Sequence, residues 1–303
     1  MKRRDFIQKT SASTALISLS GIGLSCSRTS ATKITILHTN DVHSHVEAFG
    51  ANSGENSNKG GIAKRATLVE SVRKENPNTL LLDAGDIFQG TPYFNFYGGE
   101  LEFKLMSLLK YDVATIGNHD FDNGINGLYA QLPHAKFDFI SANYDFSNTV
   151  MDSHVKPYKT FMKEGIKIGV FGLGIELSGL VNKEAYKETK YLNPIEIAQD
   201  MSRILKNDEK CELIICLSHL GYNYENSPSK ISDIILAKAT KDIDLIIGGH
   251  THTFLDEPTV ETNTIGKKVL INQVGCYGLY VGKIDFYFES SELKESVGSK
   301  LTV

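Results

Sequence analysis

Cysteine, proline and surplus positive charge are all scarce in this sequence. Four cysteines in 303 residues are too few for a disulfide framework, and they lack the CxxC spacing of thiolate metal sites. Seven prolines beside 26 glycines, with 41% hydrophobic and 22% charged residues, exclude a collagen-like, coiled-coil or disordered chain. Basic residues number 32 against 36 acidic ones, a net charge of −4, so no positive field is available to hold a nucleic acid polymer. What remains is a 33.5 kDa chain, enough for one large domain or two small ones with a sizeable core, and the composition of a soluble enzyme.

The amino terminus reads as a targeting segment. Arg3 and Arg4 lie in KRRDFIQK, a twin-arginine pattern, followed by an apolar, small-residue stretch over 12–25. About 14 such residues fall short of the roughly 20 that span a bilayer and suit the apolar region of an export signal. Residues 1–25 are therefore expected to be a twin-arginine-type export signal and 26–32 a short tether. Cys26 is a candidate for lipidation: Ser25 suits the position before it, whereas Leu24 and Gly23 depart from the usual order. Loss of 1–25 removes Lys2, Arg3, Arg4, Lys9 and Asp5 and leaves 28 basic against 35 acidic residues, a charge of −7. The mature protein is expected to be acidic, exported and periplasmic, touching a membrane only through Cys26.

Beyond residue 32, short β-rich runs alternate with segments of helical period. Strands are expected over 34–38, 79–82, 113–116, 168–173, 213–217 and 245–247, with later runs over 268–272 and 279–288. Helices are expected over 62–73, 100–109, 125–131, 195–205 and 229–240. This order predicts a mostly parallel sheet with crossover helices and antiparallel strands added late. No internal repeat or Pro/Ser-rich linker divides the chain, which predicts a single domain over 33–303.

The chemistry collects where the strands end. Of nine histidines, His43, His119, His219, His250 and His252 each follow a predicted strand or its next turn, in HTNDVHSH, GNHDFDNG, SHLG and GGHTHT; DAGDIFQG adds Asp86. One polar residue at a strand end is ordinarily a turn residue or a cap; five such segments together indicate a site. Asp41 and His43 are two apart, as are His250 and His252, so an extended backbone directs each pair to one side. Asp86 sits in a Gly-flanked turn with its carboxylate free to bridge two ions, and Asn118 offers a neutral carbonyl oxygen. Such a mixed O/N donor set suits Zn, Mn, Fe or a similar ion.

The stretches ILHTNDVHSH, GGIAKRATL, DAGDIFQGTPYF, ATIGNHDFDNG, SANYD, CLSHLGY, IIGGHTHTFL and INQVGCYGLYVGKIDF run in order from Ile36 to Phe286. They resemble the calcineurin-like metallophosphoesterase superfamily, specifically the amino-terminal catalytic domain of the 5'-nucleotidase family. The resemblance implies an α/β fold, a four-layer αββα sandwich with two mixed β-sheets. It implies two divalent metal ions sharing Asp86, one also held by Asp41, His43 and His252, the other by Asn118, His219 and His250. His119 and Asp122 map onto the family's catalytic His–Asp pair, and Asn118 and His119 onto its substrate contacts.

The implied activity is an exported, 5'-nucleotidase-type phosphoester hydrolysis by metal-hydroxide attack, releasing phosphate from nucleoside monophosphates or related esters. Alternatives are cyclic nucleotides, nucleotide sugars or other phosphoesters as substrates, or a non-enzymatic binding or assembly subunit. The family's second, nucleotide-binding domain is expected to be absent, and a separately encoded protein could supply it. Other residues have plainer readings. Asp83 is a weaker candidate for the bridge, Asp120 a backbone hydrogen-bonder, His38 and His45 packing or supporting groups. Cys211 and Cys216 read as core residues and Arg65 as structural.

Overall fold

Side-chain parity along the strands sets the layering of the chain. The computed structural model describes residues 31–303, so the expected export signal, Cys26 and all but the last two residues of the tether lie outside the described residues. In chain order the strands are β1 (Thr32–Thr39), β2 (Thr79–Asp83), β3 (Val113–Ala114), β4 (Asp138–Phe139), β5 (Tyr144–Asp145), β6 (Tyr158–Lys163) and β7 (Ile166–Leu173). There follow β8 (Lys190–Tyr191), β9 (Leu213–Ser218), β10 (Leu245–Gly248), β11 (Thr259–Thr262), β12 (Lys268–Asn272), β13 (Tyr280–Glu289) and β14 (Glu292–Thr302). One six-stranded sheet has the order β14-β13-β1-β2-β3-β4, the other β11-β12-β10-β9-β7-β6, and β5 and β8 form a separate two-stranded ribbon.

Successive residues of a strand face opposite sides of its sheet, and here both sides are apolar. Ile34, Ile36, Leu80 and Leu82 of the first sheet meet Leu213, Ile215, Leu217, Leu245 and Ile247 of the second in one buried cluster. The intervening residues point outward onto helices. Leu37 and Leu81 pack with Val69 and Val72 of helix Ile62–Glu75 and with Phe103 and Met106 of helix Glu100–Leu108. Ile214, Cys216 and Ile246 pack with Ala198 of helix Pro194–Arg203 and Leu236 of helix Asp233–Ala239. Helix, sheet, sheet and helix thus stack as a four-layer αββα sandwich with two mixed sheets, as the resemblance implied. His38 has the same parity as Ile34 and Ile36, so it enters the layer between the sheets, where its Nε2 pairs with Asn272 Nδ2 at 2.9 Å. Burial pushes its pKa down to about 3, so it is a neutral core histidine.

The parallel strands β1, β2 and β3 of one sheet and β7, β9, β10 and β12 of the other place their carboxyl ends at one edge of the sandwich. Pairing Thr39 with Asp83, Asp83 with Ala114 and Ser218 with Gly248 aligns those ends, so the segments after them share one rim.

Three departures from the sequence reading have local causes. Beyond the last expected strand, the charged segment ESSELKES (289–296) ends β13, turns and begins a further strand: β14 is the longest of the described strands, antiparallel to β13. It is an edge strand exposed over most of its length, so no alternating apolar pattern marks it, and its charges suit an edge. β6 is likewise an edge strand, with no fully buried residue to reveal it. The helix expected from 229 begins at Asp233, where the Ser232 hydroxyl caps Ile235 N–H. Among the described residues no helix is long and apolar enough to cross a membrane.

Candidate metal centre

The segments after β1, β2, β3, β9 and β10 converge on two clusters. In one, Asp41, His43 and His252 offer ligand atoms within 4.8 Å of one another; in the other, Asp86, His219 and His250 do the same. Asn118 joins the second, its Oδ1 2.8 Å from His250 Nδ1. Asp86 stands between them: its Oδ2 is 3.0 Å from His219 Nε2 and 3.9 Å from His43 Nε2. Asp41 Oδ1 lies 3.4 Å from His252 Nε2 and 4.0 Å from both His43 and His219. All seven residues expected as ligands are thereby brought together, across as many as 211 positions of sequence.

The backbone achieves this differently from the sequence reading. Asp41, His43, Asp86, His250 and His252 all have left-handed φ, between 50° and 72°, not the extended conformation inferred for the two-apart pairs. Non-glycine residues there carry strain, which persists only where surrounding bonds over-determine it. Those bonds are present. The N–H groups of Asp41, His43 and Ser44 donate to the carbonyls of Gly85, Asp86 and Ile87, tying the β1 and β2 turns together. His250 and His252 fall one in each cluster.

The surroundings fit metal ions. His43 Nδ1 lies 3.1 Å from Phe88 O and His219 Nδ1 2.7 Å from Ala84 O, so each ring donates its Nδ1–H to a carbonyl and turns the Nε2 lone pair into the site. His219 Nε2 is buried, with Asp86 Oδ2 3.0 Å away but not aligned as a hydrogen bond, and His43 Nε2 faces His252 Nε2 at 3.0 Å. Nitrogen donors facing each other around carboxylates describe a ligand set for cations. Asp41 is held by His250 N–H at 2.9 Å and by Asn40 Nδ2 at 2.7 Å, and Asp86 Oδ1 accepts His119 N–H at 2.8 Å.

The electrostatics agree. Burial opposes charge on His219, but Asp86 and Asp41 outweigh it and push its pKa up to about 10. The hydrogen bond to Asp41 likewise takes His252 up to about 10. Burial and the charge of His219 bring His250 down to about 4. Protons on His219 and His252 thus supply the positive charge that the two carboxylates demand, and cations taking that place would displace them.

At the rim, His119 Nδ1 is 2.8 Å from Asp122 Oδ2, both side chains being partly exposed. That hydrogen bond, opposed by partial burial, raises the His119 pKa above its usual value. His45 is tied through Nδ1 to His43 O at 2.9 Å and packs at a tilt against Tyr277, with ring centroids 4.2 Å apart. Asp83 lies outside both clusters, accepting from the Thr39 hydroxyl and from Gly85 N–H, and burial pushes its pKa up to about 7. Arg65 is fully buried, which removes it from contact with a substrate.

Two supporting residues escaped the sequence reading. Asn40 bonds Asp41 and also clasps Val274 N–H and Gly275 O, while Gln273 holds Gly249 O and the Thr251 hydroxyl beneath the His250–His252 turn. Their signal was position: Gln273 directly follows β12, another parallel strand that ends at this rim. Gly117 is equally constrained, since a Cβ there would lie 2.2 Å from Asp86 Oδ1. Gly117→Ala is expected to cost about 1–3 kcal/mol of stability and to weaken metal binding, as read by denaturant unfolding and metal titration.

A two-sheet αββα sandwich with His/Asp clusters at its strand ends defines the class of metal-dependent phosphoesterases. The sequence profile of the calcineurin-like phosphoesterases matches residues 34–254, and the chain belongs to that family. It is 32% identical over 302 residues to a trifunctional nucleotide phosphoesterase of Bacillus subtilis, covering 89% of this chain and 19% of that protein. It is 34% identical over 278 residues to a snake venom 5'-nucleotidase of Crotalus adamanteus, covering 85% and 45%. Among solved structures, a 5'-nucleotidase precursor from Thermus thermophilus superimposes with a TM-score of 0.81 at 34% identity, covering 90% of this chain and 55% of that one. The chain therefore spans only part of the length of these relatives.

Proposed function

We propose that this protein is a metal-dependent phosphoester hydrolase of the 5'-nucleotidase type, releasing phosphate from nucleoside monophosphates or related esters. The observation that carries this reading is the position of Asp86 Oδ2, 3.0 Å from His219 Nε2 and 3.9 Å from His43 Nε2, between two complete ligand groups. In this reading Asp41, His43, Asp86 and His252 hold one divalent ion, and Asp86, Asn118, His219 and His250 the other. Two such ions supply Lewis acidity toward a phosphoryl group and lower the pKa of water at the site. His119, oriented and kept protonated by Asp122, offsets charge on the transferring group and delivers a proton to the leaving oxygen. Asn118 and His119 contact the phosphoryl oxygens. The relatives named as nucleotide phosphoesterase and 5'-nucleotidase favour a nucleotide substrate. The twin-arginine pattern at Arg3 and Arg4 favours export to the periplasm, with Cys26 as a candidate lipid anchor.

The test is phosphate release by purified protein loaded with Mn or Zn, on AMP, UMP, a cyclic phosphodiester and an aryl phosphate. Metal-dependent release from the monophosphates is the expected result. Preference for the diester would shift the substrate class, two bound ions with no turnover on any ester would point to a separately encoded nucleotide-binding partner, and fewer than two ions with no turnover would replace the enzyme by a binding subunit.

A further inference from the structure

Asp120 belongs to neither ligand cluster, yet it is fully buried beside both turns that carry Asp86 and Asn118. It lies in the single turn His119–Phe121. Its Oδ1 accepts the N–H groups of Ile87 at 2.9 Å and Phe88 at 3.2 Å; its Oδ2 accepts those of Asp86 at 3.1 Å and Gly117 at 2.8 Å. Gly85 and Asp86 are both left-handed, at φ 89° and 56°. Such a kink turns successive backbone N–H groups inward to form a concave nest for an acceptor. Here the nest belongs to the β2 turn and its occupant to the β3 turn.

We infer that Asp120 is a positioning residue of the metal centre: its carboxyl group fills the nest of residues 86–88, binds Gly117 as well, and so locks the Asp86 turn to the Asn118–His119 turn. The register it sets is narrow. Gly117 passes so close that a Cβ on it would lie 2.4 Å from Asp86 N. The same clasp presents His119 N–H to Asp86 Oδ1 and leaves Oδ2 facing the two clusters. Asparagine cannot replace it, because its NH2 group would face backbone donors in place of an acceptor. The role rests on reading the two clusters as metal sites.

Metal titration separates this role from simple structural support. Asp120→Asn is compared with Asp244→Asn, which removes another carboxylate that accepts a backbone N–H, from Ile214 at 2.8 Å, at the opposite end of the sheet. Zn or Mn is titrated into each full-length protein and melting is followed without metal. The expected result is an affinity lower by about 10–100-fold in Asp120→Asn and within twofold of wild type in Asp244→Asn. Wild-type affinity in Asp120→Asn, whatever its melting temperature, overturns the inference, as does an equal loss in both variants. A wild-type chain that binds neither ion would instead overturn the metal-site reading itself.

Discussion

Asp86→Asn is expected to lower phosphate release by about 10³-fold or more, as loss of several kcal/mol of Lewis-acid stabilisation implies. It is expected to reduce bound metal from two ions per chain to one or none. Asp86 Oδ2 stands between His219 Nε2 and His43 Nε2, so in the proposed reading both ions would lose its negative charge when it becomes a neutral amide with a single carbonyl oxygen. The same substitution removes the carboxylate that most strongly favours a proton on His219, and the His219 pKa should fall. Metal analysis of the purified variant beside a phosphate assay decides the matter. Two ions with undiminished turnover would show that Asp86 does not bridge.

His119→Ala separates chemistry from metal binding. The side chain is removed, but the backbone N–H that donates to Asp86 Oδ1 stays. Both ions should therefore remain while kcat falls by about 10²–10⁴-fold, the range for a lost proton donor. Asp122→Asn should act in the same direction more weakly and should also move the pH profile. Asp122 raises the His119 pKa, so without it the imidazolium deprotonates earlier as pH rises. The alkaline limb of kcat/KM should accordingly shift to lower pH. An unchanged limb would mean that another group donates the proton, and loss of metal from His119→Ala would place that residue in the ligand set.

Much of this site was legible because each ligand follows a strand whose own pattern was plain. β2, β9 and β10 are buried on both faces and read as short apolar runs, so Asp86, His219, His250 and His252 announced themselves as polar residues after those runs. Where a strand lies at an edge, as β6 and β14 do, neither face requires apolar residues and the signal is lost. The expected extended backbone at the ligand pairs failed for a related reason. Residue spacing carries no information about φ, and the left-handed turns at Asp41, His43, Asp86, His250 and His252 are held by bonds to other loops. Only their assembled contacts reveal them.

The sequence by itself determined the donor atoms, the strands that end beside them and, through the resemblance of its motifs, the family and an expected division of ligands into two sets. Local chemistry suffices for this, because residue type sets what an atom can ligate and parity sets which face of a sheet it leaves. The tertiary structure alone decided the left-handed turns that carry Asp41, His43, Asp86, His250 and His252, the distances of Asp86 Oδ2 from the two clusters, and that Asp120 fills the nest beneath them. These features join residues from separate strands across the sandwich. They exist because strand pairing aligns the carboxyl ends of two sheets, an arrangement set by the burial of side chains far from the site.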